Sequence, residues 1–318
     1  MISLRLDLGF NSHDRVQLSL WPQSRLAGAG PGSELSVGLS TKPAGSGSPL
    51  DSVPGLPGGD GGDTLWTGKV QSVVSSAGEI VISGLARSAQ LSNSRRSATW
   101  SDQSVADIVA DLAGDLDSEI EADLMLQNYS IDNSRSVWSY LYELAQLTGA
   151  ELSCSAEGGI RFIIATKETA IIDLRYGADL IDWRLSRNQA MTPVGAAEHA
   201  VASSAGNEKW HWLAHDPVGA GAEAVLVPAA FRTRTAAESY SAAASARSQR
   251  STLQGDVWIV GREALRPGSM VELKDLPAGS SGPMRVRSVT HQLDAVNGFI
   301  TALSVEAATG SDGSGGLF

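Results

Sequence analysis

The chain is 318 residues long, 42% hydrophobic and 19% charged, with one cysteine and a net charge of −11 from 35 acidic and 24 basic residues. That length has room for two or three domains at ~100 to 200 residues each; no run approaches the ~18 apolar residues of a membrane-spanning helix, and the single Cys154 excludes both an intramolecular disulfide and a cysteine-built zinc site. The acidic surplus repels a phosphate backbone, and Arg95 with Arg96, the densest basic spot, is too small to reverse it, so specific nucleic-acid binding is not expected.

In chain order, MISLRLDLGF alternates Ile2, Leu4, Leu6 and Leu8 with polar partners. This predicts a first strand, because a signal peptide needs a basic start and an unbroken apolar block. RVQLSL repeats the alternation with Val16, Leu18 and Leu20 on one face. GAGPG holds Gly28, Gly30 and Gly32, but a phosphate-cradling loop must open a helix, and Pro31 followed by ELSVGLS favours a turn and a strand. Residues 41–63, dense in Gly, Pro, Ser and Asp, are expected to form a long mobile loop within a β-rich segment spanning 1–95. Strand signals resume at TLWTGKVQSV and GEIVISGLAR.

Residues 96–170 read as a helix, helix, hairpin unit. In SDQSVADIVADLAG, the apolar Val105, Ile108, Val109 and Leu112 have helical spacing, Ser104 stands as N-cap with Asp107 three residues on, and Gly114 is the stop. A second helix in DNSRSVWSYLYELAQLTG buries Val137, Leu141, Leu144 and Ala145 and ends at Gly149. AELSCS and IRFIIA then flank EGG, so Leu152 and Cys154 face Ile160, Phe162 and Ile164 in a hairpin. Between the helices, DLDSEIEAD alternates Asp115, Asp117, Glu119, Glu121 and Asp123; a calcium loop would need Gly where Ile120 stands and Glu where Leu126 stands, so a solvated acidic loop is expected.

Strands return over 171–309 in IIDLRYGADLIDWRLSRN and AVLVPAAF, with one helix at about 235–250 where Thr235 and Glu238 have capping-box spacing. HWLAH places His211 and His215 four apart, but Trp212 occupies the position of a zinc protease's glutamate, and Trp210 with Trp212 suggests aromatic packing. In ALRPGSMVELKDLPAGSSGPMRVRSVTHQLD, Pro267 and Gly268 form a turn, and Met270, Val271 and Leu273 alternate against Glu272 and Lys274 as a strand with a solvated face. Arg266, Lys274 and Asp275 are therefore read as part of a barrel wall, and His291, at a strand end, as a packing or interface residue. Residues 310–318 read as a flexible tail. There is no G-x-S-x-G elbow, Cys154 reads as a small buried hydrophobe, and no local feature recommends a particular carboxylate pair. No catalytic, cofactor-binding or metal-binding residue is assigned, and no cofactor is expected.

Three stretches carry a resemblance: RSAQLSNSRRSATWSDQSVADIVADLAG; DNSRSVWSYLYELAQLTGAELSCSAEGGIRF; and LRPGSMVELKDL through MRVRSVTHQLD and FITALSVE. In order and spacing they resemble the late control protein D family of phage tail hub proteins, related to the N-terminal part of the VgrG spike proteins of type VI secretion. They span most of residues 86–174 and 232–307, while the 41–63 loop and residues 192–224 depart from the pattern.

The resemblance implies an α+β, mostly β fold: two related β-barrel domains, 1–95 and 171–309, with small α/β insertions, closing as a homotrimer into a pseudo-sixfold ring. It implies a baseplate hub of a phage or phage-like contractile injection system, joining the hexameric tail tube to the trimeric central spike, with no enzymatic activity. Its expected partners are the trimeric spike protein, a tail tube or tube-initiator protein and neighbouring baseplate proteins, with no direct membrane span. The expected location is the virion tail baseplate or injection particle, after synthesis in the bacterial cytoplasm. A chain stopping at GSDGSGGLF implies that the spike is a separate polypeptide. Two alternatives stay open: a peptidoglycan-degrading enzyme with a hub-like fold, and a β-rich carbohydrate-binding adhesin using Trp210 and Trp212 as stacking platforms.

Overall fold

The computed structural model describes residues 1–39, 64–164, 170–189, 195–196, 199–201, 212–214, 224–225, 234–277 and 279–308. The expected loop at 41–63, the tail at 310–318 and most of AVLVPAAF lie outside these residues.

The chain opens with β1 (Ser3–Gly9), β2 (Arg15–Leu20), β3 (Glu34–Gly38), β4 (Thr64–Ser75) and β5 (Ile80–Ala86). A short helix α1 (Gln90–Asn93) leads to β6 (Ala98–Ser104), α2 (Val105–Ala113), β7 (Ser118–Ile120), β8 (Met125–Ile131), α3 (Val137–Thr148) and the hairpin β9 (Ala150–Cys154) with β10 (Ile160–Ile164). After β11 (Ile171–Arg175) and β12 (Leu180–Arg187) come four short strands, β13 (Gly195–Ala196), β14 (His199–Val201), β15 (Trp212–Ala214) and β16 (Ala224–Val225). Helix α4 (Arg234–Arg250) and strands β17 (Leu253–Val260), β18 (Met270–Lys274), β19 (Pro283–Asp294) and β20 (Gly298–Ala307) complete the order.

The fold is α+β and mostly β, and its pairing is largely antiparallel. Eleven strands form one sheet in the order β12-β17-β20-β19-β1-β2-β5-β4-β3, with β18 on the free half of β19's edge and β11 parallel to β18. The junction is β1, which pairs β2 on one side (Leu6 opposite Val16) and β19 on the other (Leu6 opposite His291). One apolar core follows: Leu4, Leu6, Leu8, Val16, Leu18, Leu20, Trp66 and Ile82 from the first arm pack in the same cluster as Val257, Ile259, Leu273, Val286, Val289, Leu303 and Val305 from the second. Each such side chain contributes about 1.5 to 3 kcal/mol by leaving water.

A second core belongs to the helices and hairpin of 98–164, where Val105, Ile108, Val109 and Leu112 meet Val137, Leu141, Leu144, Leu152, Ile160 and Phe162. The stop and start signals act as the sequence predicts. Ser104 Oγ accepts the Asp107 amide at 3.0 Å, and Gly114 (φ 63°) and Gly149 (φ 73°) end the two helices in the left-handed region that L side chains resist. Ser136 caps α3 by accepting from the Ser139 amide at 3.3 Å. In the hairpin, Leu152 lies opposite Phe162 and Cys154 opposite Ile160.

Two local expectations need correction. The acidic stretch is not simply a solvated loop: Ser118–Ile120 form a strand parallel to β10, and Glu119 pairs with Arg161 at 2.7 Å. Backbone pairing to an existing hairpin edge outweighs the low strand propensity of acidic residues. Thr235 is not a cap, because α4 already includes Arg234; the T-x-x-E spacing falls inside the first turn.

Candidate functional site

The most elaborate polar chemistry among the described residues lies where the β1–β2 turn meets the α/β unit. Asn11 adopts φ 59° and donates its amide to the Leu152 carbonyl at 2.6 Å. Half-buried His13 lies between two serines, Nδ1 at 3.0 Å from Ser88 Oγ and Nε2 at 2.6 Å from Ser92 Oγ, with its ring 4.0 Å from that of Trp138. Burial pushes its pKa down to about 4. Asp14 is buried at 3% exposure; its backbone amide donates to Cys154 Sγ, and its carbonyl accepts from the Ala86 amide and Trp66 Nε1. Its carboxyl accepts the Gly9 amide at 3.1 Å, yet burial dominates and holds its pKa up at about 8.

A second cluster ties α4 to both units. Glu151 of β9, Arg250 at the end of α4, Arg285 of β19 and Glu306 of β20 form a network in which each side chain is between 8% and 15% exposed. Arg250 reaches Glu151 at 2.8 Å, and Arg285 bonds Glu151 directly, lies 3.4 Å from Glu306 and stacks 4.8 Å above the Phe10 ring. Arg247 donates to the Gln146 carbonyl at 3.0 Å, fastening α4 onto the end of α3.

Among the described residues, those singled out from sequence are not brought together into one site. Gly28 closes a short 3-10 turn and Gly32 (φ 86°) leads into β3, so the loop opens a strand and not a helix. Arg95 donates to the Ser134 carbonyl at 2.6 Å, and Arg96 pairs with Asp111 beside Trp100. Cys154 is buried beside Ser88 and its thiol is pushed up to about 12 by burial, which leaves it unreactive. His291 is fully buried, 3.0 Å from Thr301 Oγ1 and against Phe299, as packing requires. Lys274 pairs with Glu272 at 2.6 Å and Asp275 with Arg175 at 2.8 Å. Arg266 behaves unlike a wall residue: its half-buried guanidinium donates to the Leu65 carbonyl at 2.7 Å and to that of Thr64, holding the start of β4. Trp210, His211 and His215 lie outside the described residues, and Trp212 is described only as part of β15.

Sequence reading misses His13, Asp14, Glu151, Arg250 and Glu306. His13 meets Ser88 across 75 positions, Glu151 meets Arg250 across 99, Asp14 meets Cys154 across 140, and Glu306 meets Arg285 across 21, all beyond any local pattern.

The outer faces differ from these interior clusters. On the first arm, Trp21 (56% exposed) follows β2, and Val74 (63%) lies on β4. On the second, Ile181 (50%) occupies a bulge of β12, and Val260 (53%) lies on the neighbouring β17 opposite Ile300. Strands β3 and β12 end the strand order. Exposed apolar groups of this size suit contact with another protein surface.

A family model described as the Alg8 N-terminal domain matches residues 69–295. No curated protein matches the chain. Among solved structures, the 43 kDa tail protein of prophage MuSo2 from Shewanella oneidensis aligns with a TM-score of 0.68 at 16% identity, covering 96% of this chain and 94% of that one. The tail protein from Neisseria meningitidis MC58 aligns with a TM-score of 0.67 at 13% identity, covering 96% and 91%. An E. coli component of the type VI secretion system, described as similar in structure to the T4 bacteriophage tail proteins gp27 and gp5, aligns with a TM-score of 0.59 at 11% identity, covering 97% and 74%. At such identities the likeness is one of fold.

Proposed function

We propose, from the premise that the chain belongs to the Alg8 N-terminal domain family and shares its fold with phage tail proteins, that it is a structural tail component, and within the tail the baseplate hub of a phage or phage-like contractile injection system. The family description names a domain and no activity. The observation that carries the reading is a tail-protein fold over 96% of the chain. In this reading the protein is a homotrimer in which residues 1–95 and 171–309 act as two similar barrel domains, with the insertion 96–170 beside them. Two similar faces per subunit, taken three times, meet a hexameric tube, while threefold symmetry meets the trimeric spike.

Exposed Trp21, Val74, Ile181 and Val260, together with the terminal strands β3 and β12, support subunit or partner contact. The interior supports a role without catalysis: the Cys154 thiol is held neutral and His291 is enclosed by Thr301 and Phe299. The particle is assembled from protein made in the bacterial cytoplasm and incorporated in the virion tail baseplate or injection particle.

Mass photometry of the full chain, alone and with its cognate spike protein, tests the proposal. A trimer in either condition is expected, and a monomer in both overturns it. A muramidase assay on the purified protein is expected to show no turnover; turnover lost on substituting a carboxylate would make the protein an enzyme.

A further inference from the structure

We propose that the Phe10–Asp14 turn is a charge-averse wedge: it seats the α/β unit on the sheet most firmly while His13 and Asp14 are both uncharged, so a charge on either residue weakens the seat. The geometry comes first. This one turn touches α1 through Ser92, α3 through Trp138, β9 through the Leu152 carbonyl and Cys154, and the end of β5 through the Ala86 amide. The Ser88 amide, itself bonded to the Gly158 carbonyl at 2.9 Å, closes the same joint from the other side.

The groups facing the two residues explain why charge is costly here. Around His13 stand two serine hydroxyls, the Trp138 ring and, beyond Ser88, a neutral Cys154 thiol, and among the described residues no carboxylate is bonded to its ring. Asp14 faces Arg266 and the Gly9 amide, which favour its anion, and Asp7, which opposes it; burial outweighs them all.

Linkage then gives opposite slopes. His13, held at about 4 against 6.5 in the unfolded chain, binds its proton less well when seated, so its contribution is full above 6.5 and is lost as pH falls toward 4. Asp14, held at about 8 against 3.8, binds its proton better when seated, so its contribution is full below 3.8 and is lost as pH rises toward 8. Between about 4 and 6.5 the two cancel, and the joint is insensitive to pH; from 6.5 to 8 only Asp14 acts and the joint loosens.

Hydrogen exchange of the Asn11 and Ser88 amides, corrected for intrinsic rate, reads the joint directly. For the wild type, protection is expected to stay flat from pH 4 to 6.5 and to fall above it. Asp14→Asn removes the Asp14 slope, so protection falls with acid by about tenfold per pH unit below 6.5 and stays flat above it. His13→Gln leaves only the Asp14 slope, so protection rises with acid from pH 8 down to 4. Wild-type profiles in both variants overturn the proposal. If a variant does not fold, carbon NMR titration of the wild type decides: a His13 ring titrating near 6.5 or an Asp14 carboxyl near 3.8 overturns it, and displaced midpoints support it.

Discussion

Two residues show how tightly the interior constrains its chemistry. Cys154 donates nothing to reactivity, because its thiol is buried between Ser88, the Asp14 amide and the Ser12 carbonyl. The folded protein is expected to resist iodoacetamide at pH 8 and to be alkylated stoichiometrically in denaturant, as mass spectrometry would show; rapid labelling of the folded chain would contradict the burial. Gly158 is constrained by its backbone instead. It holds φ +83°, and a Cβ there would sit 2.3 Å from the Thr67 carbonyl oxygen. Gly158→Ala is expected to cost about 1 to 3 kcal/mol, read as a lower urea midpoint at unchanged slope.

At the scale of elements, α4 is the piece whose seating depends most on charge. Arg250 is enclosed with Glu151, Arg285 and Glu306, so removing one cation leaves an acid with fewer partners in a dry place. Arg250→Met is expected to destabilise by about 3 to 5 kcal/mol, and pairing it with Glu151→Met to restore part of that loss in a double-mutant cycle. The elements themselves were largely legible. Ser104 and Gly114 bracket α2, Gly149 closes α3, and the alternation of Leu4, Leu6 and Leu8 marks β1, because caps and periodicity are local physics. What joins elements was not. His13 finds Ser88, Glu151 finds Arg250 and Arg266 finds Leu65 across intervals of 75, 99 and 201 residues, and nothing in one sequence marks such partners. The strand at Ser118–Ile120 was hidden for the same reason: its stability comes from β10, over forty residues later, and not from its own acidic residues.

For the whole molecule, the outward apolar groups make the assembly testable without disturbing the fold. Val260 is 53% exposed on β17, while its neighbour Ile259 is fully buried. Val260→Lys is expected to leave the melting temperature of the isolated chain within about 2 °C, since exposed positions away from special features shift stability by roughly 0.5 kcal/mol at most. Within the proposed hub it is expected to weaken trimer formation in mass photometry; an unchanged trimer would remove this face from the interface.

The position of β1 between β2 and β19 has a temporal consequence. A ribosome delivers Ser3–Gly9 long before Ser288–Asp294, yet these two strands must zip together along their whole length. Until then the growing chain carries a half-paired edge of Leu4, Leu6 and Leu8, and the search that ends this state spans 283 residues between Asp7 and Thr290. Such a long loop closure slows folding and prolongs exposure to aggregation. Expression at low temperature, or with a chaperone that shields the early strands, is therefore expected to raise the soluble yield, with the sheet completed only once Ser288–Asp294 has emerged.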